Sequence, residues 1–248
     1  MMQAIQFIRS ILFAGLMYGA MGVMGVIYFF LTLIDRDYAY TAVSHYTAVV
    51  RFLARWVIGL KSEIRGEVPT DEVLICSKHQ SFFDIILIVS AVPRPKFIMK
   101  KQLVYAPVLG YFAKAIGCIP VDRGKRGAAV KQMMADVASG ASRPGQLIIF
   151  PQGTRVAAGA KKPYKIGSGV IYTESGQRCI PAATNVGVFW KKNGITKYPG
   201  TAVLEFLPAI EPGLPIETFQ AVLEETVEKN SDRLMREAGF DPDSYEGD

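Results

Sequence analysis

Histidine and cysteine are scarce in this chain of 248 residues, which contains two histidines and three cysteines. The cysteines, Cys76, Cys118 and Cys179, are far apart in the sequence and have apolar neighbours. This pattern indicates reduced core residues, as in a cytoplasmic domain, and not a disulfide framework. With two histidines and no paired cysteines, the chain has no obvious set of metal ligands, so we expect no metal site.

Two functional classes also lack their sequence signatures. The segment Gly-x-Ser-x-Gly, which places the nucleophile of many serine hydrolases on a sharp turn, is absent. The formal charge is +6, but the chain has neither a long basic tract nor a recognisable nucleic-acid-binding module. We therefore expect no nucleic-acid partner, and the positive charge favours an anionic lipid surface instead.

Charged residues are missing altogether from Ser10 to Ile34, a run of 25 residues. As a helix this run is about 37 Å long, against about 30 Å for the hydrocarbon core of a bilayer. It exceeds the roughly 7–15 apolar residues of a signal peptide and ends without a small-x-small cleavage site, so we predict a retained membrane anchor. Gly15, Gly19 and Gly22 mark one face that allows close helix packing, although ordinary glycine usage explains them nearly as well.

The next segment, from Thr41 to Leu60, has apolar residues at helical spacing and two arginines, Arg51 and Arg55, one turn apart. Because like charges at this spacing repel in an isolated helix, they suggest an anionic partner such as lipid phosphate. We predict a helix in the membrane interface, with a core helix that has a basic edge as the alternative. Residues 1–61 are thus predicted to bind the cell membrane on its cytoplasmic face, either as a hairpin in one leaflet or as a span followed by an interfacial helix.

Short apolar runs alternate with helical patterns after residue 61, which predicts one α/β domain over residues 62–240 and a mobile acidic tail at 241–248. Several runs are rich in Ile and Val without alternation, as in strands buried on both faces. The predicted strands are Ser62–Gly66, Val73–Ser77, Lys96–Met99, Cys118–Val121, Gln146–Phe150, Cys179–Thr184 and Ala202–Leu207, and the clearest helices are Gly127–Ala138 and Ile216–Ala238.

A histidine and an aspartate, His79 and Asp84, flank the junction between the strand Val73–Ser77 and the apolar run 85–89. Residues five apart on a helix are rotated by about 140° from each other. The two side chains can therefore meet only if His79 precedes a helix and Asp84 lies in its first turn. An imidazole beside a carboxylate is the minimum equipment for removing a proton from a hydroxyl.

Arginines follow two other predicted strands. Arg123 comes after Cys118–Val121, and Arg155 ends the segment Phe150-Pro151-Gln152-Gly153-Thr154-Arg155. Since α/β folds bind ligands at strand ends and a guanidinium makes paired hydrogen bonds to phosphate, these residues predict a site for a phosphate-bearing alcohol. Taken singly, Arg123 would more often be a surface charge and the segment 150–155 a simple turn.

Together with the apolar segment Ile180-Pro181, these blocks, in this order and spacing, resemble the glycerolipid acyltransferases, specifically the 1-acylglycerol-3-phosphate acyltransferases. The resemblance covers about Val73 to Pro181, and a membrane-binding N-terminus suits it. It implies a single acyltransferase domain with a mixed, largely buried sheet flanked by helices. It also implies acyl transfer from acyl-CoA or acyl carrier protein, as cosubstrate and without a cofactor, to the free hydroxyl of 1-acylglycerol 3-phosphate. The product would be phosphatidic acid, in phospholipid biosynthesis.

The same resemblance assigns roles to individual residues. His79 would be the general base and Asp84 the carboxylate that orients it, as in a Ser-His-Asp triad whose serine is replaced by the substrate alcohol. Residues expected to hold the glycerol phosphate are Arg123, Gly153, Thr154, Arg155, Lys100 and Lys101, although the two lysines are equally explained as solvated charges.

The chain departs from the family pattern at two positions. Gln152 stands where the family usually has glutamate, which should leave the phosphate pocket more positive, and Lys78 stands where asparagine is common. Two outcomes are open for Lys78: it alters the local charge near His79, or its side chain points to solvent.

Three alternatives to this function remain. The same chemistry on another acceptor, such as glycerol 3-phosphate, another lysophospholipid or a lyso-aminolipid, is the nearest. A hydrolase that uses His79 and Asp84 with a serine lacks the nucleophile motif described above. A non-catalytic membrane-binding relative does not explain why His79, Asp84, Arg123 and Arg155 are all present.

Overall fold

The computed structural model describes residues 2–121 and 144–245. The predicted helix Gly127–Ala138 and Arg123, which is predicted to bind phosphate, lie outside these residues. The α-helices are α1 Met2–Ile34, α2 Tyr38–Leu53, α3 Phe83–Ala91, α4 Pro107–Ala115, α5 Gly167–Ser175, α6 Val186–Phe189 and α7 Ile216–Glu237. The strands are β1 Leu60–Arg65, β2 Leu74–Ser77, β3 Pro95–Lys100, β4 Ile119–Val121, β5 Gln146–Ile149, β6 Cys179–Thr184 and β7 Gly200–Phe206.

The seven described strands form one sheet in the order β1-β7-β6-β2-β5-β3-β4. From β6 to β4 all neighbours are parallel, while β7 runs antiparallel to β6 and parallel to β1. The sheet is therefore mixed, as expected, and all seven predicted strands are confirmed to within two residues at each end. The carboxyl ends of β2, β5, β3 and β4 meet at one edge, where α/β folds place ligands.

Two apolar layers cover the sheet, because successive residues of its central strands point to opposite faces. Ile75 of β2 and Ile148 of β5 are fully buried on the face covered by α3, α2 and part of α1. Leu74 and Leu147 lie on the other face, against α5 and α7. The central strands β2, β5 and β6 are buried along their whole length, which explains why their sequences are mostly apolar and do not alternate.

The second helical segment is interrupted before it reaches the sheet. Helix α2 continues as one turn of π-helix, Ala54–Ile58, and ends at Gly59, whose φ of 75° is left-handed. Arg51 donates to the hydroxyl of Ser62 at 2.8 Å and to that of Ser90 at 3.0 Å. Arg51 thus contacts the α/β domain, as the alternative of a core helix predicts, whereas Arg55 is exposed.

The N-terminal part of α1 is held against the domain by polar side chains. Gln6 Nε2 donates to the carbonyls of Ile58 and Lys197, at 3.1 and 2.7 Å. The Lys197 amide donates to Ser10 Oγ at 2.9 Å. One turn further on, the fully buried Phe13 ring packs edge-on against Trp190, with 5.5 Å between centroids. This end of α1 is therefore part of the domain's packing.

The C-terminal part of α1 packs on α4. A Cβ added at Gly25 would lie 2.7 Å from Val108 Cγ1, and Thr32 Oγ1 is 2.7 Å from the Tyr111 hydroxyl. The glycine face expected to mediate packing, Gly15, Gly19 and Gly22, meets no described atom within 4 Å of an added Cβ. Among the described residues no helix packs on that face, which agrees with the alternative of ordinary glycine usage, and the glycine that contacts another helix is Gly25.

The beginning of the acidic tail packs on the domain. It forms a turn of 3₁₀-helix, Pro242–Ser244, in which Pro242 is buried, and Asp243 pairs with Arg236 at 2.7 Å. The Pro242 carbonyl also lies 2.9 Å from where Gly159 would carry a Cβ. These contacts differ from the free tail that the acidic composition predicts.

We expect Gly25→Leu to separate α1 from α4, because the new side chain would overlap Val108. Overpacking of this kind typically costs about 1–3 kcal/mol. The matched control Gly22→Leu, whose side chain would enter open space, should change stability by less than about 0.5 kcal/mol. Thermal unfolding midpoints in detergent would measure both, and equal midpoints would contradict the packing described.

Candidate active site

The predicted meeting of His79 and Asp84 is confirmed by the structure. His79 lies in the loop after β2, and Asp84 is the second residue of α3. His79 Nδ1 is 3.1 Å from Asp84 Oδ2. Because an ionised carboxylate only accepts, Nδ1 donates, and this leaves the lone pair of Nε2 free to accept a proton.

Asp84 is fully buried and accepts hydrogen bonds from the backbone of the loop that precedes α3. Its Oδ2 accepts from the amides of Gln80 and Ser81, at 2.6 and 2.7 Å, as well as from His79. This reach back to preceding amides resembles half of a capping box. The Ser81 hydroxyl accepts from the Phe83 amide only at 3.4 Å, so it contributes a weak cap to α3. The carboxylate fixes both the loop and the imidazole.

The segment that begins at Phe150, after β5, completes the environment of the imidazole. The Phe150 ring stacks on His79 with centroids 4.0 Å apart and planes 19° apart. The Val156 amide donates to the His79 carbonyl at 2.7 Å. His79 is therefore fixed by Asp84 through its edge, by Phe150 through its face and by Val156 through its backbone.

Gly153, Thr154 and Arg155 lie in the loop after β5, between Phe150 and Val156, the two residues of this loop that contact His79. Gly153 closes the turn through its amide, which donates to the Phe150 carbonyl at 2.8 Å, and its φ of 68° favours glycine. Lys165 Nζ would lie 2.7 Å from a Cβ at Gly153, so a cationic group lies over this turn. Arg155 is half-buried, precedes Val156, and donates to the Lys192 carbonyl at 3.0 Å.

Lys100 and Lys101 lie at the same edge of the sheet, where β3 ends and a 3₁₀-helix, Lys101–Tyr105, begins. Both side chains are exposed. Arg123 cannot be compared in this way, since it lies outside the described residues. Within residues 2–121 and 144–245, no three His, Cys, Asp or Glu side chains are grouped as metal ligands.

The two residues that depart from the family pattern, Lys78 and Gln152, are both buried. Lys78 is buried, with 1% exposure, and pairs with Glu228 of α7, so it does not point to solvent. Gln152 is also 1% exposed, and its amide donates to Glu228 Oε1 at 3.4 Å. Because Gln152 contacts the acidic residue Glu228, this geometry does not support the expected increase in positive charge of the phosphate pocket.

A family model described as Acyltransferase matches residues 60–185, slightly more than half of the chain. The chain belongs to this acyltransferase family. The matched region contains both members of the dyad and the whole segment from Phe150 to Arg155. As a member of the family, the protein is an enzyme that transfers acyl groups.

Individual relatives agree with this assignment. A 1-acyl-sn-glycerol-3-phosphate acyltransferase from Pseudomonas aeruginosa is 29% identical over 213 residues, which cover 84% of this chain and 83% of that one. An enzyme of the same name from Limnanthes alba is 27% identical over 168 residues, 66% of this chain and 60% of the relative. The 1-acyl-sn-glycerophosphate (LPA) acyltransferase PlsC from Thermotoga maritima has the same fold. Its TM-score is 0.80 at 18% identity, with 94% of this chain and 99% of that chain covered.

Sequence reasoning missed two residues of the acyltransferase site. Phe150 had a usable signal, since an aromatic residue directly before the Pro151 turn ends a strand that neighbours the histidine's strand. Glu228 had no usable signal, because it lies 150 residues from Lys78 in the sequence. The apolar spacing of its helix identifies the buried face but does not predict which polar residues have partners.

We expect His79→Ala to lower kcat by about 10²–10⁴-fold, the usual contribution of a general base. Asp84→Asn should also lower kcat, since an amide at this position supports the wrong histidine tautomer. His45→Ala, the only other histidine substitution available, should retain activity because His45 lies on α2 and contacts Tyr28. Initial rates of acyl transfer would measure all three, and an active His79→Ala enzyme would rule out the assigned base.

Proposed function

We propose that this acyltransferase transfers a fatty acyl group from an acyl thioester to the free hydroxyl of 1-acylglycerol 3-phosphate, giving phosphatidic acid in phospholipid biosynthesis. The observation that carries the proposal is the His79–Asp84 hydrogen bond at a sheet edge that also carries Arg155. The names of the relatives from Pseudomonas aeruginosa and Limnanthes alba point to the same acceptor.

The dyad accounts for the proton transfers of this reaction. Nε2 of His79 accepts the proton of the substrate hydroxyl while its oxygen forms a bond to the thioester carbonyl carbon. Asp84 stabilises the imidazolium that results. When the carbon–sulfur bond breaks, the imidazolium returns the proton to the leaving thiolate, so an ester and a free thiol are formed. This scheme calls for no metal or prosthetic group, because the thioester donor is a cosubstrate.

The phosphate of the acceptor would be held by the cationic residues near the dyad. Arg155 offers a fork of donors that matches phosphate oxygens, and Lys165 adds a charge over the Gly153 turn. Thr154 offers a hydroxyl in the same turn. Lys100 and Lys101, at the end of the neighbouring β3, and Arg123 complete the set proposed from the sequence. The donor, acyl-CoA or acyl carrier protein, would approach the same edge.

We also propose that α1 lies along the membrane surface and does not cross the bilayer, with the catalytic domain on the cytoplasmic face. It is the one helix among the described residues that is long and apolar enough to cross. However, the domain contacts it near Gln6 and again near Thr32, positions about 39 Å apart along the helix. A spanning α1 would draw the domain into the hydrocarbon core of about 30 Å. The exposed face of α1 remains apolar from Ile5 to Leu33 and would enter one leaflet.

The acceptor is tested by supplying the purified enzyme, in detergent or vesicles, with lysophosphatidic acid and either acyl-CoA or acyl carrier protein thioester. We expect phosphatidic acid from wild type and a strongly reduced amount from His79→Ala. Turnover restored only by glycerol 3-phosphate, another lysophospholipid or a lyso-aminolipid would replace the proposed acceptor. Free fatty acid released without acceptor would instead indicate a hydrolase.

The placement of α1 is tested by introducing one additional cysteine at a time, Met2→Cys at its start or Arg36→Cys just after its end. Both positions are exposed. A membrane-impermeant maleimide should label both in inverted membrane vesicles and neither in intact cells, since both ends would lie on the cytoplasmic side. The unaltered protein serves as background for its native cysteines. Labelling of the two ends from opposite sides would show that α1 spans the bilayer.

A further inference from the structure

A buried lysine lies directly before the catalytic histidine. Lys78 is 1% exposed, and its ammonium contacts Glu228 Oε2 on α7. Lysine is almost never buried to this extent without a partner, because an unpaired ammonium loses its hydration. Glu228 supplies that partner from the opposite end of the sequence, and its side chain is 18% exposed.

The other oxygen of Glu228 binds the segment that follows β5. Its Oε1 accepts from the Tyr164 hydroxyl at 2.9 Å and from Gln152 Nε2 at 3.4 Å. Gln152 Nε2 also donates to the Lys162 carbonyl at 3.3 Å. Both neighbours of this nitrogen are acceptors, which fixes the orientation of the amide. Burial and the nearby Glu228 raise the pKa of Tyr164 well above its ordinary value, so Tyr164 remains a donor.

Glu228 therefore joins the two loops that hold His79. On one side its partner Lys78 is covalently next to His79. On the other side its partner Gln152 is two residues from Phe150, whose ring stacks on His79. We propose that Glu228 is a positioning residue that sets the geometry of His79 relative to Phe150 by binding Lys78 and Gln152 at the same time. This inference rests on the proposed function, since it concerns the same dyad.

The charge of this cluster explains why an amide stands at position 152. Glu228 already faces Lys78, and Asp232 lies one turn further along α7, where burial and then the Glu228 charge raise its pKa. A carboxylate at position 152 would replace the donor of the Gln152–Glu228 hydrogen bond by a second negative charge. Glutamate, the residue usual at this position in the family, would therefore disturb His79 in this chain.

The inference is tested by the steady-state kinetics of three variants, Glu228→Gln, Gln152→Glu and the combination of the two. Each single variant should lower kcat by about 10-fold, with KM for donor and acceptor unchanged within about 2-fold, because misplacement of the base affects the chemical step. The double variant exchanges a carboxylate and an amide without changing the charge of the cluster. It should recover kcat to within about 3-fold of wild type.

Two controls separate positioning from stability. Glu225→Gln removes an exposed carboxylate from the same helix and should leave kcat unchanged. If Glu228→Gln alone does not fold, the pair Lys78→Met and Glu228→Gln removes both charges, which often leaves stability nearly unchanged. That pair should unfold within a few degrees of wild type and still show a kcat about 10-fold lower.

Several outcomes would overturn the inference. The first is that Glu228→Gln has the same kcat as Glu225→Gln. The second is that the double variant of Glu228→Gln and Gln152→Glu loses as much kcat as the two single variants combined. The third is that the pair Lys78→Met and Glu228→Gln has the kcat of wild type. If wild type transfers acyl groups to another acceptor and not to lysophosphatidic acid, the proposed acceptor fails. The same comparison of kcat values is then made on the acceptor that is used, so the two failures are distinguishable.

Discussion

The site depends on one buried oxygen, Asp84 Oδ2, which accepts three hydrogen bonds. Two of the donors are amides of the loop after β2, and the third is His79. A buried carboxylate without donors would cost several kcal/mol, and Oδ2 alone accepts the hydrogen bonds that the described residues donate to this group, since Oδ1 has no such partner. The same requirement that folds the loop onto the start of α3 therefore orients the imidazole. The hydrogen bonds of Asp84 thus serve both local folding and the proposed function. They need the loop after β2 and the first turn of α3 together.

The sheet order then brings the remaining parts together. Because β5 is inserted beside β2, the Phe150 ring reaches the face of His79, and Val156 reaches its backbone. Helix α7, from the far end of the chain, contributes Glu228 behind these two loops. The N-terminal helix is connected to the same region, since Phe13 of α1 packs on Trp190, which in turn stacks on Phe83 beside Asp84. The long apolar helix α1 and the His79–Asp84 pair thus belong to one packed unit.

Much of this arrangement could be predicted from the sequence, for identifiable physical reasons. Strands buried on both faces produce apolar runs without alternation, and this pattern identified several of the seven strands, among them β2 and β5. The spacing of His79 and Asp84 left one solution, with the loop before the helix. What could not be predicted depends on contacts between distant segments. The contact glycine of α1 is Gly25 because α4 crosses there. Lys78 is buried because Glu228 faces it, and the local sequence around Lys78 contains no trace of that partner.

The central claim is that His79 activates the acceptor hydroxyl directly, so that no acyl group is ever attached to the protein. Intact-protein mass spectrometry after incubation with an acyl thioester alone tests this claim most directly. The account predicts an unchanged protein mass and an unconsumed thioester until lysophosphatidic acid is added, after which the thiol is released. A protein mass increased by one acyl group, formed before acceptor is added and discharged by it, would contradict the account and require a nucleophile on the chain.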